Sequence, residues 1–351
     1  MDSEIPSPQA LAEFDKLHPR ILALVQERFG LELKTKTPKL DRRQRELVED
    51  CAERLGNTLK AVFSFGLFGY MEAETDWLVS VLESRGLGRG WVESLLESWT
   101  IGIQGLVRPP LADELSRPLI RARSMVSRTS PEPPVQEKSP SEEVQKYLDL
   151  VLRGRRREAA EFVLVSLKAG AAPEKIAEAL LLPALHHMGR LWEKNRIGAA
   201  EEHLATEITR YVIYRLFDGL LWKKPLPFCA FLACVPGEQH DIGIDLMANL
   251  LRSDGWSLVY IGRGAPHQDL LDSAVAARPD VAILSVSLIS HLPAARALIL
   301  GLRETLPGIP IILGGAAAAA ARRNFEPLVF GITDSLEEGR LIARELAGRH
   351  A

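Results

Sequence analysis

The last third of the chain alternates short apolar runs with longer amphipathic stretches, and this pattern constrains the fold more than any other feature. Apolar runs occupy residues 228–235, 258–261, 281–286 and 309–313, with a shorter one at 329–332. Stretches with helical periodicity follow them, at about 241–254, 267–277, 291–305 and 335–347. Strands and helices that alternate at these lengths predict a parallel, doubly wound sheet of the Rossmann or flavodoxin-like α/β class.

The preceding two thirds of the chain have helical periodicity and one clear interruption. Residues 1–128 predict an all-α domain of five or more helices, either globin-like or a bundle, with a helix end at Gly30 and an N-cap at Asp41. Residues 129–142 contain four prolines among small polar residues and predict an extended linker. Residues 143–223 contain four helical segments and predict a four-helix-bundle cap before the α/β domain at 228–351.

Composition excludes several classes of protein. The chain has 351 residues and a net charge of -3. It therefore lacks the surplus of basic residues that would indicate a nucleic-acid partner. Three cysteines, at positions 51, 229 and 234, are too few for a disulfide framework and fit a reducing compartment. Since no apolar run approaches membrane-spanning length and the first residues lack a signal-peptide pattern, we expect a cytoplasmic protein without a membrane partner.

The loop after the first predicted strand concentrates residues that can carry chemistry. Its histidine, His240, would lie at the carboxyl end of a parallel strand, where open α/β sheets bind their ligands. Glu238 lies two residues earlier and can hold the second ring nitrogen of a metal-bound imidazole. Gly237 permits a turn, and Gly243 permits a bulky group near the start of the next helix.

This loop resembles a known signature. Glu-x-His-x-x-Gly at 238–243 is similar to the lower-ligand motif of cobalamin-binding domains, in the glutamate form found in cobalamin-dependent light sensors. The resemblance implies that His240 binds cobalt in the base-off, His-on mode and that the dimethylbenzimidazole tail is buried beside the sheet. It also implies a slot for that tail lined by Ser285, or alternatively Ser287, and by the pair Gly314 and Gly315.

A second motif lies in the predicted cap. Trp192 is followed after nine residues by Glu202 and His203. Alone, these residues fit a core tryptophan and a capping acid, but Trp-x9-Glu-His resembles the motif that surrounds the upper face of the cofactor in adenosylcobalamin light sensors. The resemblance implies that Trp192 packs on the adenosyl group and that Glu202 bonds its ribose. An imidazole at His203 can bond a ribose hydroxyl or a metal ligand.

The chain departs from the light-sensing repressors of that family at two places. Glu193 stands where those repressors have a histidine that can bind cobalt after light removes the adenosyl group; His203 could substitute, as could His186 or His187. The N-terminal region also lacks the winged-helix pattern of a DNA-binding domain. No DNA-binding domain is therefore evident in the sequence of this region.

The N-terminal region is instead rich in aromatic residues. They fit either a helical core or a pocket for a planar chromophore with basic partners at Arg42, Arg43, Arg45 or Lys60. A helical domain before a cobalamin domain resembles the photocobilins, which implies a biliverdin pocket. Cys51 is either an apolar filler or a bilin tether. The aromatic residues are Phe63, Phe65, Phe68, Tyr70, Trp77, Trp91 and Trp99.

These features favour a signal-transducing photoreceptor, not an enzyme. In this hypothesis light breaks the cobalt–carbon bond of bound adenosylcobalamin, and domain packing changes within a homo-oligomer or toward a downstream signalling protein. The alternative is a methyl-corrinoid carrier that serves a methyltransferase, although Glu238 replaces its usual aspartate and Ile244 its common lysine. A mutase subunit is a third hypothesis, and the large barrel that accompanies such domains is not evident in the sequence.

Overall fold

The computed structural model describes residues 5–36, 40–128, 139–218 and 223–349. These residues fall into two compact units, one within Met1–Glu137 and Glu193–Arg196 and the other within Lys138–Trp192 and Ile197–Ala351. Most of the predicted linker at 129–142 lies outside the described residues. Its last residues are described, and there the Ser141 hydroxyl accepts a hydrogen bond from the Val144 amide and caps the next helix.

The first unit contains five helices, which confirms the helical N-terminal region. The first helix packs on the second, fourth and fifth, and the third packs on the second and fifth. The globin-like or bundle architecture stays a prediction. The helices are α1 (Pro8–Lys36), α2 (Arg42–Phe65), α3 (Gly69–Ser84), α4 (Gly90–Leu106) and α5 (Leu111–Arg128).

Two predicted helix boundaries in this unit have different outcomes. The Asp41 N-cap of α2 is confirmed, because its carboxylate accepts from the Gln44 amide at 2.8 Å while the Gln44 side chain accepts from the Asp41 amide. The predicted end of α1 at Gly30 is wrong. The helix continues to Lys36, since Phe29 and Leu33 are both buried on its inner face and their burial outweighs the weak helix propensity of one glycine.

The second unit begins with the helices of the predicted cap. These are α6 (Glu142–Leu152), α7 (Arg156–Lys168), α8 (Pro173–Ile176), α9 (Leu182–Glu193) and α10 (Ala199–Asp218). Helix α10 packs against α6 and α7, and the buried Tyr147 hydroxyl donates to the Thr209 hydroxyl at 3.1 Å between α6 and α10. A π turn, Ala177–Leu181, joins α8 to α9 and was not predicted. The four-helix-bundle arrangement stays a prediction.

The rest of the second unit is a five-stranded sheet in which every neighbouring pair is parallel. Its order is β2-β1-β3-β4-β5, which confirms the predicted α/β class. The strands are β1 (Cys229–Cys234), β2 (Ser257–Gly262), β3 (Val281–Ser285), β4 (Ile311–Gly314) and β5 (Gly331–Thr333). The helices are α11 (Ile242–Ser253), α12 (His267–Ala277), α13 (Leu292–Thr305), α14 (Ala316–Ala320), α15 (Arg322–Phe325) and α16 (Leu336–Arg349), with a 3₁₀ turn at Ile289–His291.

The strand order places a topological switch point between β1 and β3. The chain leaves β1 toward β2 on one side and later returns to β3 on the other, so the loops after β1 and β3 diverge and leave a crevice. Among the described residues, no helix combines the length and apolar content needed to cross a bilayer.

Candidate functional site

The ends of β1 and β3 bring two loops of the candidate site together. Cys234 and Ser285 are register partners at the carboxyl ends of these strands, and the next amide, Val235 N, donates to Ser285 O at 3.1 Å. The loop that carries Glu238 and His240 therefore starts beside the loop that carries Ser287. This is the edge of the sheet at which the sequence predicts a ligand site.

Glu238 holds its own loop through one carboxylate oxygen. The side chain is fully buried, and its Oε1 accepts from the Gln239 and His240 amides, each at 2.9 Å. The same oxygen lies 2.6 Å from His240 Nδ1. The structure thus contains the carboxylate–imidazole contact that the two-residue spacing predicts.

The other carboxylate oxygen of Glu238 joins this loop to the loop after β3. Its Oε2 accepts from the amides of Ser287 at 2.8 Å and Leu288 at 3.1 Å. It also lies 3.2 Å from Nδ1 of a second histidine, His291. Ser287 therefore contributes its backbone amide to the site. One buried side chain connects the two loops that border the switch point.

The charge state of Glu238 fixes the proton position on His240. Burial works to raise the pKa of Glu238, but the hydrogen bonds from His240, His291 and the backbone amides outweigh it and hold that pKa well below its ordinary value. An ionised carboxylate only accepts, so His240 Nδ1 donates to it, and the neutral form of this imidazole keeps on Nε2 the lone pair that a metal requires. The His240 side chain is 61% exposed.

The residues of the predicted tail slot lie at the ends of β3 and β4. Ser285 is buried and is the register partner of Gly314. Gly315 has φ +106, and a Cβ there would lie 2.3 Å from Val286 O, so only glycine fits this backbone. A Cβ on Gly243, by contrast, would meet no heavy atom within 4 Å, so the start of α11 is open.

The three residues of the cap motif lie on consecutive helices. Trp192 is in the last turn of α9, half-buried against the apolar core of the second unit. Glu202 is in the first turn of α10, where it accepts from the Thr206 hydroxyl at 2.8 Å and lies 2.6 Å from His203 Nδ1. The His203 side chain is 80% exposed. The acid and the imidazole of the motif are therefore in contact.

Helix α10 is also tied to the His240 loop. Arg210, two turns after Glu202, forms two hydrogen bonds with the buried carboxylate of Asp241, at 2.9 and 3.2 Å. Asp241 is the residue directly after His240. This fork-to-carboxylate pair connects the helix that carries the cap motif to the loop that carries the lower-ligand motif.

The N-terminal unit contains a cavity of about 460 Å³, and its lining differs from the predicted pocket. Phe68 lines it, but Phe63, Phe65 and Trp99 are buried in the helical core, which is the simpler of the two predicted roles. The predicted basic partners Arg42, Arg43, Arg45 and Lys60 do not line it. Two other arginines do, and the lining is Ile5, Pro6, Ser7, Phe68, Gly69, Met71, Glu72, Glu114, Arg117, Pro118, Arg121, Ala122 and Met125.

Both parts of the second unit match known domain families. Residues 229–347 match a family described as B12 binding domain, and residues 143–216 match a second family with the same description. Together with the carboxylate-held His240 at the switch point, these matches define a cobalamin-binding module. Its cofactor is a cobalamin.

Individual relatives match about half of this chain. The chain is 31% identical over 179 residues to the HTH-type transcriptional repressor CarH of Myxococcus xanthus, covering 50% of this chain and 58% of that protein. It is 30% identical over 167 residues to the repressor CarA of the same organism, covering 47% and 55%. The chain thus spans a little over half the length of these two relatives.

A solved structure supports the fold. The monomethylamine corrinoid protein of Methanosarcina barkeri superposes with a TM-score of 0.51 at 18% identity, covering 59% of this chain and all of that protein. At this identity the similarity establishes the fold alone.

Proposed function

We propose that the protein is an adenosylcobalamin-binding photoreceptor in which light breaks the cobalt–carbon bond and the packing of cap and α/β domain changes. The observation that carries the proposal is the occurrence of both motifs in one compact unit. His240 is held by a buried carboxylate at the switch point, and Trp192 and Glu202 lie on the preceding cap helices.

The residues at the switch point fit the cofactor. The Nδ1–H tautomer of His240 leaves the metal-binding lone pair on Nε2, and Glu238 raises the basicity of that nitrogen through the hydrogen bond. Gly315 lets the β4 loop approach Val286 more closely than any side chain would allow. When bound, adenosylcobalamin supplies a cobalt–carbon bond that visible light cleaves.

In this proposal the cap residues recognise the upper face of the cofactor. Trp192 offers a flat apolar surface to the adenosyl group, and the Glu202 carboxylate accepts hydrogen bonds from ribose hydroxyls. His203 fixes Glu202 through the 2.6 Å contact and is an exposed imidazole beside that face. His187, unlike His203, contacts a guanidinium, because its Nδ1 lies 3.1 Å from the side chain of Arg190.

The output in this proposal is a change of protein surface. The Arg210–Asp241 pair connects α10 to the His240 loop, so a displacement of the cap changes the positions of both the helix and the loop. The partner that responds is a second copy of the chain or a downstream signalling protein.

The proposal extends to a bilin in the N-terminal unit. The cavity described above contains Arg117 and Arg121, whose guanidinium groups suit the propionates of biliverdin, next to apolar Phe68 and Met125. Binding would be non-covalent with respect to Cys51, because burial raises the pKa of its thiol to about 12 and suppresses the nucleophilic thiolate.

The deciding experiment is the absorption spectrum of the purified full chain, loaded in the dark with adenosylcobalamin and biliverdin, before and after illumination. We expect a light-dependent change of the cobalamin bands and a retained, shifted bilin band. A cobalamin change without retained bilin would remove only the bilin part. Binding of methylcobalamin without adenosylcobalamin would favour the methyl-corrinoid carrier.

Two substitutions test the residues assigned to the lower and the upper face of the cofactor separately. We expect His240→Ala to weaken cobalamin binding at least about 10-fold, since loss of the lower nitrogen costs no less than loss of a partner that orients it, and to shift the bound spectrum. We expect Trp192→Ala to weaken adenosylcobalamin more than hydroxocobalamin. Unchanged binding and spectrum in the first variant, or equal effects on both cobalamins in the second, would contradict the assigned roles.

A further inference from the structure

His291 is a second histidine at the Glu238 carboxylate, and neither motif in the sequence includes it. It ends the 3₁₀ turn before α13, and its Nδ1 lies 3.2 Å from Glu238 Oε2, on the opposite oxygen from His240. The contact joins residues 53 positions apart. The His291 side chain is 23% exposed, compared with 61% for His240.

Because both oxygens of Glu238 already accept backbone hydrogen bonds, both imidazoles must be donors at Nδ1. Each oxygen accepts two backbone N–H groups, and four such donors favour the ionised carboxylate, which has no proton to donate to a ring nitrogen. Among the described residues the carboxylate receives six hydrogen bonds, three on each oxygen. The carboxylate plane is therefore fixed from both sides, and His291 supplies the only side-chain donor that the described residues place on Oε2.

The ring of His291 also covers the turn of the lower-ligand loop. Gly237 has φ +89, and a Cβ on it would lie 3.3 Å from Cδ2 and Nε2 of His291. The same imidazole thus bonds the carboxylate and packs over the left-handed turn that directs the chain toward His240. Both contacts act on the orientation of His240 without touching it.

We propose that His291 is a positioning residue for the lower cobalt ligand, acting through Glu238 on the orientation and tautomer of His240. The inference rests on the proposed cobalamin site and deepens it. Backbone amides of the loop after β3 already hold Oε2, and the His291 ring adds a third donor there while it packs over the Gly237 turn. Together these contacts present Oε1 to His240 at a fixed angle. Fixed outer partners of this kind set the affinity of a metal ligand.

The test compares two variants that differ only in the donor. His291→Leu removes the N–H and keeps apolar bulk, whereas His291→Asn keeps an N–H at the position of Nδ1. Each full-length variant is loaded with hydroxocobalamin and reduced anaerobically to the paramagnetic Co(II) form. In electron paramagnetic resonance, nitrogen splitting of the cobalt lines reports the axial ligand, and ¹⁵N-histidine labelling distinguishes His240 from the dimethylbenzimidazole.

We expect His291→Leu to lose most of the histidine splitting and to bind cobalamin about 10-fold more weakly, and His291→Asn to restore both. His267→Ala, which changes another helix-start histidine, is the matched control and should behave like the wild type. Wild-type splitting in His291→Leu would overturn the inference, as would its loss in both variants. If His291→Leu does not fold, His291→Asn alone decides: retained splitting supports the inference and lost splitting overturns it.

The wild-type spectrum separates this inference from the proposed function. If the wild type shows no histidine splitting, the assignment of His240 as the lower ligand fails. If the wild type and His267→Ala show it and His291→Leu shows it equally, the role of His291 alone fails.

Discussion

Gly315 makes the sharpest stability prediction at the level of single residues. Its backbone has φ +106, and a Cβ at this position would lie only 2.3 Å from Val286 O, so both the conformation and the space forbid a side chain. We expect Gly315→Ala to lower the free energy of unfolding of the second unit by about 2–4 kcal/mol, because the β4 loop must move. Urea unfolding of the cofactor-free protein, followed by far-UV circular dichroism, measures this cost.

Gly314 is the matched control for this substitution. A Cβ on Gly314 would make only ordinary contacts, 3.6 Å from Thr333 O and 3.7 Å from Leu284 O. We expect Gly314→Ala to change stability by less than about 1 kcal/mol. Equal costs for the two variants would show that the β4 loop adapts to a side chain.

His18 makes the N-terminal unit sensitive to pH. Its ring is buried against Phe14 and Trp99, with centroids 5.4 and 5.6 Å away. Burial, and then the charge of Lys60, lower the pKa of His18 from 6.5 to about 4. Between these pH values the unfolded chain binds the proton more readily than the folded one. The free energy of unfolding is therefore highest above pH 6.5 and decreases by roughly 3 kcal/mol as the pH falls toward 4.

Hydrogen exchange of peptides from α1 and α4, corrected for intrinsic rates, measures this dependence in the full chain. We expect protection to decrease between pH 6.5 and 4 in the wild type and much less in His18→Leu, which keeps the apolar volume. The same loss of protection in both proteins would assign the pH dependence to other groups.

The contacts of single residues also show what can and cannot be predicted from the sequence. The Glu238–His240 contact was predictable because the two residues are two positions apart on one loop. The His291–Glu238 contact was not, because it depends on how the loops after β1 and β3 meet. His291 carries the local signature of a helix start, and nothing in that signature identifies a partner 53 residues away.

At the level of elements, the Arg210–Asp241 pair governs how α10 is held against the sheet. Asp241 is 6% exposed, and Arg263 is a second cation near it, at 3.6 Å. We expect Arg210→Ala to destabilise the second unit by about 1–2 kcal/mol and to increase hydrogen exchange in α10. The value is at the low end for a buried carboxylate because the Arg210 side chain is 26% exposed and part of its interaction is screened.

Two controls isolate the paired geometry. Arg215→Ala removes another arginine from α10, where it contacts the Tyr211 hydroxyl on the surface, and should cost less than about 0.5 kcal/mol. Arg210→Lys keeps the charge but not the two-pronged fork and should give an intermediate loss. If Arg210→Ala and Arg215→Ala have the same effect, the pair does not hold the helix.

Regular elements were predictable where burial and periodicity agree. The five strands are apolar runs flanked by turns, and each was found within two residues of its predicted bounds. The π turn at Ala177–Leu181 was not predictable, since its residues are ordinary helix formers and the extra residue is accommodated by a backbone bond from Leu182 N to Ala177 O. It changes which face of α9 carries Trp192, so periodicity alone misplaces that side chain.

At the level of the second unit, Asp254 binds three cations from two segments, the stretch before β1 and helix α16. Its buried carboxylate accepts from Lys223 at 2.8 Å, from Arg340 at 2.6 Å and from Arg344 at 2.7 Å, and Arg340 also reaches Glu174 in α8. Burial works to raise the pKa of Asp254, but these hydrogen bonds hold it well below 3.8. The stabilisation is therefore complete above the ordinary aspartate pKa and is lost as the pH falls below about 4.

We expect Asp254→Asn to lower the stability of the second unit at pH 7 by about 2–4 kcal/mol, since three cations lose their anion. The difference between the wild type and the variant should shrink below pH 4, where Asp254 is protonated in the unfolded wild type but still ionised in the folded one. Thermal unfolding of both proteins at pH 7, 5 and 3 measures this. A difference that stays constant across these values would contradict the assignment.

The strand order β2-β1-β3-β4-β5 also determines the order in which contacts can form while the chain is being synthesised. The first strand is made early but lies inside the sheet, so both of its neighbours are still to be translated when it leaves the ribosome. His291 follows Glu238 by 53 residues, which is roughly 3–10 s of elongation at typical rates. For that interval Glu238 lacks the three hydrogen-bond partners that the loop after β3 supplies to its Oε2, so the connection between the two loops forms only after β3 has been made.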